Sequence, residues 1–409
     1  MLLPSANNES TGKQTVDPSG GANQVRVRAY NERLVLSLVR RHEALAKADI
    51  ARRTGLSAQT VSVIMRSLES EGLLLKGAPQ RGKVGQPSVP MTLNPAGAFA
   101  LGVKIGRRSA DLVLVDFLGE IRNAVHTTYR WAEPESILGF ISTQVGIFLK
   151  ALNATERQRL CGIGVAMPFE LWNWPSEAGA PVDRMEVWRD FHFGHRLAEE
   201  TGLIVHVLND ATSACGAELA FGLGTELSEF VYFYIATFVG GGIVLNHTLY
   251  PGRNGSAGAL GSMPVQNRDG SLSQLIHHAS IAELERRVQS GDEPVTPLWR
   301  DADDWSSHRE QVDAWLQTTA RHLAIAIVSS CAVIDFQAAV LDGAFPADVR
   351  DKLVGLVDHE IGKLDCQGIR RPQVIGGTIG QNARAIGGAS LALSDRYFLD
   401  PSVLFKELS

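Results

Sequence analysis

Cysteine is scarce. Four cysteines, at 161, 215, 331 and 366, are spread over 409 residues, and no two of them form a CxxC clip. Their apolar neighbours predict reduced structural thiols in a cytoplasm and exclude a disulfide framework. No run of about 18 apolar residues occurs, so no membrane-spanning helix is expected. The opening MLLPSANNESTGKQTVDPSGG has no basic segment followed by a long apolar core, and so does not read as a signal peptide. What remains, 44% hydrophobic and 20% charged residues, is an ordinary globular composition able to bury a large core. The length favours two or three domains.

Net charge is also small, at −5, but it is unevenly distributed. From Val25 to Pro90 there are twelve Lys/Arg against five Asp/Glu, while residues 1–24 carry one against two. The total therefore leaves −11 for everything after Pro90. A basic block on an acidic body is the pattern expected when only the block meets phosphates.

Inside that block lies KADIARRTGLSAQTVSVIMRSLESEGLLL, residues 47–75. It reads as two helices joined by a turn at Thr54-Gly55-Leu56, with Ser57 as a new N-cap. Val61, Ile64, Met65 and Leu68 recur at the spacing of an inward-packing stripe. At 100° per residue, Gln59, Ser62, Val63 and Arg66 fall on the opposite face, with Thr60 at its edge. Short polar groups and one guanidinium suit a DNA major groove, where their forks can meet base edges. Periodicity alone equally allows an amphipathic helix pair in any all-α domain; the extended, turn-rich segment after Gly72 favours the DNA reading.

Residues 1–24, rich in Ser, Asn, Gly and Thr, are expected to be a disordered leader. A first helix is expected over Asn31–His42. After Gly72, two short strands around GAPQRGKVGQP read as a β-wing, with Arg81 and Lys83 at its tip for phosphates or a minor groove. Residues 25–95 thus form a winged helix-turn-helix. After Asn94-Pro95 the pattern becomes strand–turn–strand–turn–strand, then alternating helices and strands. These include strands at Leu160–Phe169 and Leu203–Leu208 and the helix DATSACGAELAFG. The hairpin EFVYFYIATFVGGGIVLNHTLYPG opens a second such set, with helices at Ile281–Ser290 and Val312–Ala332. Residues 96–409 therefore read as an α/β body of two lobes with a cleft. The closing QNARAIGGASLAL is a small-residue helix suited to close packing.

The winged helix-turn-helix followed by LGVKIG, GIGVAMPF, LNDATSACGAE, VGGGIVLNHTLYPGRNGSAGALGSMPV and IGGASLAL resembles the ROK family (repressors, open reading frames and kinases). The likeness covers roughly residues 25–405 and is nearest to the sugar-responsive repressor branch. It implies an actin-like, sugar-kinase-type (ribonuclease H-like) body, self-association as a homodimer or homotetramer, and operator binding altered by a sugar in the cleft.

Departures from the family pattern are equally informative. Kinase members end the first strand with an Asp near a Gly-rich phosphate turn; here VKIGRRS puts Lys104 in the acidic position and Arg107-Arg108 where small residues are expected. The second phosphate hairpin normally begins Gly-Thr-Gly; here Phe238 stands where backbone must approach phosphate. Two such losses argue against phosphoryl transfer, so no catalytic residue and no cofactor are expected. In the segment matching GxxGxAGExGH, Ala259 replaces the Glu and Ser262 the His, and no cysteine cluster comes after it. A structural zinc site needs about four sulfur or nitrogen ligands. His277 and His278 alone do not supply it, and they read as surface or interface residues.

The likeness carries ligand contact onto Asn209 and Asp210, with Gly106, Pro168 and Gly258 at matching positions near the cleft. Local sequence leaves two readings level: sugar-hydroxyl partners, or a strand end and a helix cap. Ala259, with Ile276 where another family Glu would lie, removes two polar contacts, which allows an altered sugar, a polyol or an empty pocket. Trp172 and Trp174 either stack on a sugar or seal their loop; Trp188 reads as core.

The leading expectation is a cytoplasmic regulator, in the main a repressor, of double-stranded operator DNA. Ser57, Gln59, Thr60, Ser62 and Arg66 would meet the groove, and Arg81, Lys83 and Gln86 would serve the wing. Gln86 replaces a common family Arg. The competing readings are a carbohydrate kinase with an appended DNA module and a ligand-blind DNA-binding protein.

Overall fold

The computed structural model describes residues 18–79, 88–173, 180–267, 269–289, 298 and 304–399. Helix α1 (Pro18–His42) starts within the stretch expected to be leader. Proline at a first helical position has its φ already set and loses no intrahelical bond, so a packed helix can extend back over polar residues that carry no apolar stripe of their own. Helices α2 (Lys47–Thr54) and α3 (Ala58–Ser70) come next, then β1 (Leu74–Lys76) and β2 (Met91–Leu93), paired antiparallel. Val35, Val39, Ile50, Val61, Met65 and Leu68 pack into one core beneath the wing, each less than 2% exposed. Full burial of such a side chain is worth roughly 1.5–3 kcal/mol.

The body begins with β3 (Phe99–Ile105), β4 (Ser109–Asp116) and β5 (Ile121–Thr128). Helices α4 (Pro134–Ala151) and α5 (Ala154–Gln158) lead to β6 (Leu160–Ala166); α6 (Val182–Glu186) and α7 (Phe193–Thr201) lead to β7 (Val205–Leu208). The sheet order is β5-β4-β3-β6-β7, antiparallel on the β5 side and parallel from β3 to β7. Helix α8 (Asp210–Phe221) crosses to the second lobe.

There β8 (Phe230–Ile235), β9 (Val239–Leu245) and β10 (Thr248–Leu249) form a meander, and β11 (Pro264–Gln266) pairs with β12 (Leu272–Gln274) as a small hairpin. Helices α9 (Ile276–Ala279), α10 (Ile281–Gln289) and α11 (Arg309–Val333) precede β13 (Ala338–Gly343), α12 (Ala347–Ile361) and β14 (Val374–Gly376). The order β10-β9-β8-β13-β14 repeats the first lobe's arrangement, three antiparallel strands followed by two parallel additions. The two sets legible in the sequence are thus two copies of one architecture.

The chain closes with α13 (Ala383–Tyr397), which returns to the first lobe. Its small residues let it lie almost against backbone: a Cβ on Gly102 of β3 would stand 1.9 Å from the Ala385 carbonyl oxygen, and one on Gly164 of β6 1.7 Å from that of Gly388.

The DNA module is fastened to this body. Leu74, Leu93 and Met65 share a continuous hydrophobic core with Phe117 of the first lobe and Phe398 beyond α13. The Arg159 guanidinium, at the entrance to β6, donates to the carbonyls of Ala96 (2.6 Å) and of Glu71 (3.2 Å), the residue that closes α3. Leu399 N–H donates to Ser37 Oγ of α1 at 2.9 Å.

Candidate functional site

The helix-turn-helix geometry arises from a few local choices. Gly55 adopts φ 69°, a left-handed conformation that costs glycine little, and its N–H closes α2 on the Ala51 carbonyl. Ser57 Oγ then accepts from Thr60 N–H at 3.1 Å and starts α3. Val61, Ile64, Met65 and Leu68 are buried, while Gln59, Val63 and Arg66 are exposed and Thr60 and Ser62 partly so. The solvent face is the one expected from the sequence. Arg66 Nε donates to the Ser62 carbonyl at 3.1 Å, which lays the side chain along the helix surface and leaves its charge outward. Arg81, Lys83 and Gln86 at the wing tip lie outside the described residues.

Between the lobes is a cleft of about 440 Å³, a size ordinary for small-molecule sites. Gly106, Pro168, Asn209, Asp210 and Gly258, placed together from the sequence, all line it. Pro168 and Asn209 come just after the carboxyl ends of the parallel strands β6 and β7, where open α/β sheets present their ligand crevices.

Both local readings of Asn209-Asp210 have a part in the geometry. Asn209 is the cap: its Oδ1 accepts from the N–H groups of Ala211 (3.1 Å) and Thr212 (3.2 Å). Asp210, the first helical residue, faces the cleft and is paired at 3.3 Å with Nη1 of Arg384, from the start of α13. Arg384 is 8% exposed, and its guanidinium lies 5.2 Å from the ring centroid of Tyr234. Local sequence could not supply this partner, 174 residues away. The available signal was a charge at the start of a helix whose following residues, as far as Leu393, are small or apolar.

At the first turn, Lys104 is buried and its ammonium pairs with Asp111 at 2.8 Å. Burial opposes ionisation of Asp111, yet Lys104 and a hydrogen-bonded His126 hold its carboxyl well below the usual carboxylate range. Arg107 donates to the Leu171 carbonyl at 2.7 Å, with its guanidinium 4.9 Å from the centre of the Phe238 ring. Phe238 itself lines the cleft, and so do Ala259, Ser262 and Ile276. Ala259 and Ile276, two of the positions where the family resemblance placed acids, are therefore small or apolar surface.

The residues near the hairpin β11–β12 do not fit a zinc ion. Among the described residues, no three His, Cys, Asp or Glu side chains converge. His277 is exposed, whereas His278, also expected at the surface or an interface, is half-buried within the chain. It stacks on His322 of α11 with ring centroids 3.9 Å apart, and its Nε2 bonds Ser273 Oγ at 2.6 Å. The cause is packing of α9 across α11, which turns one of two adjacent histidines inward. Trp172 is partly buried with the Arg189 guanidinium 5.2 Å from its ring, Trp174 lies outside the described residues, and Trp188 is core, donating Nε1–H to the Ala132 carbonyl.

Residues 100–395 match the ROK family model. The chain belongs to the ROK family. Residues 28–74 of this ROK protein match a winged helix-turn-helix DNA-binding model, so a DNA-reading module precedes the ROK body. The xylose repressor of Bacillus spizizenii is 22% identical over 393 residues, covering 93% of this chain and 98% of the relative. Among solved structures, a ROK family transcriptional regulator, a homologue of the E. coli MLC protein, covers 93% of the chain and 98% of its own length. Its TM-score is 0.63 at 19% identity. A ROK family glucokinase from Streptomyces griseus, solved with glucose and AMPPNP, covers 72% of this chain and 99% of itself, with a TM-score of 0.56 at 20% identity. Its match leaves out more of this chain than the regulator's does. This ROK protein is a DNA-binding transcriptional regulator.

Proposed function

We propose that the protein represses transcription from a pseudo-palindromic operator as a homodimer or homotetramer in the cytoplasm. Its kinase-like cleft senses a sugar or polyol-like ligand without catalysis. The observation that carries the sensing-only reading is the Arg384–Asp210 pair: the carboxylate that would activate a hydroxyl is held by a buried guanidinium. Lys104 supports it, because an ammonium where a kinase keeps an acid repels the divalent metal that accompanies the phosphate. Phe238 supports it too, by putting a ring where backbone must approach phosphate.

Ser57, Gln59, Thr60, Ser62 and Arg66 meet the major groove in this reading, with Arg81, Lys83 and Gln86 on the wing. Asn209 and Asp210, with Gly106, Pro168 and Gly258, meet the ligand. A ligand that prefers one lobe arrangement shifts the population toward it. Because Arg159 ties the end of α3 to the first lobe, that shift re-spaces two reading helices that must match half-sites about 34 Å apart. Footprinting on the protein's own upstream DNA, repeated with a carbohydrate library, is the test. Protection that a sugar or polyol relieves supports the reading. Sugar-dependent ATP consumption that disappears in Asp210→Asn would replace it with a carbohydrate kinase. Protection that no carbohydrate alters would leave a ligand-blind DNA-binding protein.

A further inference from the structure

We propose that the interlobe cleft selects a carbohydrate bearing an anionic group, a carboxylate or a phosphate, and that Arg384 receives it. The proposal rests on the sensing reading above and narrows its ligand class.

The enclosed part of the cleft is cationic. Arg107 and Arg384 line it, both less than 9% exposed, against a single enclosed carboxylate among the described residues, Asp210. Glu170 also borders the space, but it is exposed at the rim and bonded to Asn173. The amino-terminal end of α8, which also opens here, adds the positive end of a helix dipole. Elsewhere on the lining, the side chains of Ala259 and Ile276 offer no acceptor that would repel an incoming anion.

The second observation is that Arg384 is incompletely satisfied. Nη1 bonds Asp210, whereas Nε is sealed from solvent and has no hydrogen-bond partner among the described residues. A buried donor without an acceptor costs roughly 1–3 kcal/mol, more when charged, so such groups call for an explanation in a native structure. A planar guanidinium with one arm engaged keeps further N–H groups in the fork geometry that suits carboxylate or phosphate oxygens. An anionic ligand entering the cleft meets the guanidinium where it lines the cavity and competes with Asp210 for the same cation, and a small turn of the side chain toward the ligand gives the enclosed Nε an acceptor. Uncharged polar groups nearby, including Thr212, Thr237 and Asn254, remain for hydroxyls.

The test is calorimetric titration of the full-length chain with matched sets on one carbon skeleton. These are glucose, glucuronate, gluconate and glucose 6-phosphate, then the corresponding galactose and xylose sets. At least one anionic member should bind tenfold or more tightly than its neutral parent, and whether acid or phosphate leads identifies the anion. In Arg384→Gln that ratio should fall toward one. In Asp210→Asn, where the competing carboxylate is gone, it should widen, an outcome that a purely structural ion pair does not produce. Because the ratio within a set is read on the unaltered protein, the test survives misfolding of the Arg384 variant. Neutral sugars binding as well as or better than every anionic partner would overturn the proposal while leaving carbohydrate sensing intact. No binding by either class would overturn the sensing reading, and this proposal with it.

Discussion

The backbone of Gly387 in α13 runs so close to Ser213 in α8 that a Cβ on the glycine would stand 1.8 Å from the Ser213 carbonyl oxygen. The Ser213 hydroxyl also reaches across to the Arg384 carbonyl at 3.0 Å. This seam lies next to the cleft and joins the helix that starts at Asp210 to the helix that carries Arg384. Backbone on both sides leaves a methyl group nowhere to go. Gly387→Ala is expected to cost about 1–3 kcal/mol or more through overpacking, read as a lower midpoint in urea denaturation. Gly202→Ala is the contrast: its Cβ meets nothing within 4 Å, so its cost is only the strain of φ 68°.

On the reading helix, Arg66→Ala should weaken operator binding and, where the guanidinium meets a base edge, relax discrimination by about 1–3 kcal/mol. Gln59→Ala should act in the same direction. Neither side chain enters the core, so thermal stability should stay within about 0.5 kcal/mol of the parent. Gel-shift titration against operator and mismatched duplexes measures the first, and a melting curve the second. Unchanged affinity would remove the residue from the reading face.

The stacked histidines make stability fall on the acidic side. Burial, followed by the charges of His322 and His277, lowers His278 to about 4, against a small opposing pull from Glu283. His322 is lowered as well, chiefly by burial. A depressed histidine binds fewer protons folded than unfolded, so stability is complete above the ordinary value near 6.5 and is lost as the pH falls from there toward 4. Replacing His278 with Gln should flatten the pH dependence of stability across that window, so that the variant-minus-parent difference grows as the pH falls, measured by denaturant titration at several pH values.

Glu285 behaves in the opposite sense. Burial in α10 raises its carboxyl to about 7, with Arg108 pulling weakly the other way. The folded chain therefore holds a proton that the unfolded chain gives up, and stability declines as the pH rises from about 4.5 to 7. Glu285→Gln removes that dependence and is expected to stabilise the protein by about 1–3 kcal/mol at pH 8, with little change at pH 4. Equal effects at the two pH values would rule out ionisation as the cause.

Much of this molecule was legible because local rules agreed with the fold. Gly55, Ser57 and the Val61–Leu68 stripe set the helix-turn-helix through chemistry confined to a dozen neighbouring positions. The body strands announced themselves as apolar runs bounded by turns, and Asn209-Asp210 by its place between a strand and a helix. What escaped depends on contacts between distant parts of the chain. Nothing near Asp210 indicates Arg384, and nothing near Glu71 indicates Arg159. His277 and His278 are indistinguishable in sequence, and only the crossing of α9 and α11 decides which turns inward. The start of α1 at Pro18 escaped for another reason: a helix extended from a packed segment needs no apolar periodicity in its first turns.

The contacts of Arg159 with Glu71 and Ala96, together with the core running from Met65 to Phe117, mean that the reading head has no slack. In a two-headed assembly neither head can swivel to absorb a misplaced half-site. One inserted base pair then rotates the second half-site by about a tenth of a helical turn, and about five base pairs present it on the far side of the duplex. Such a protein behaves as a caliper, rejecting sites by the length of DNA between the half-sites even when every base within them is right.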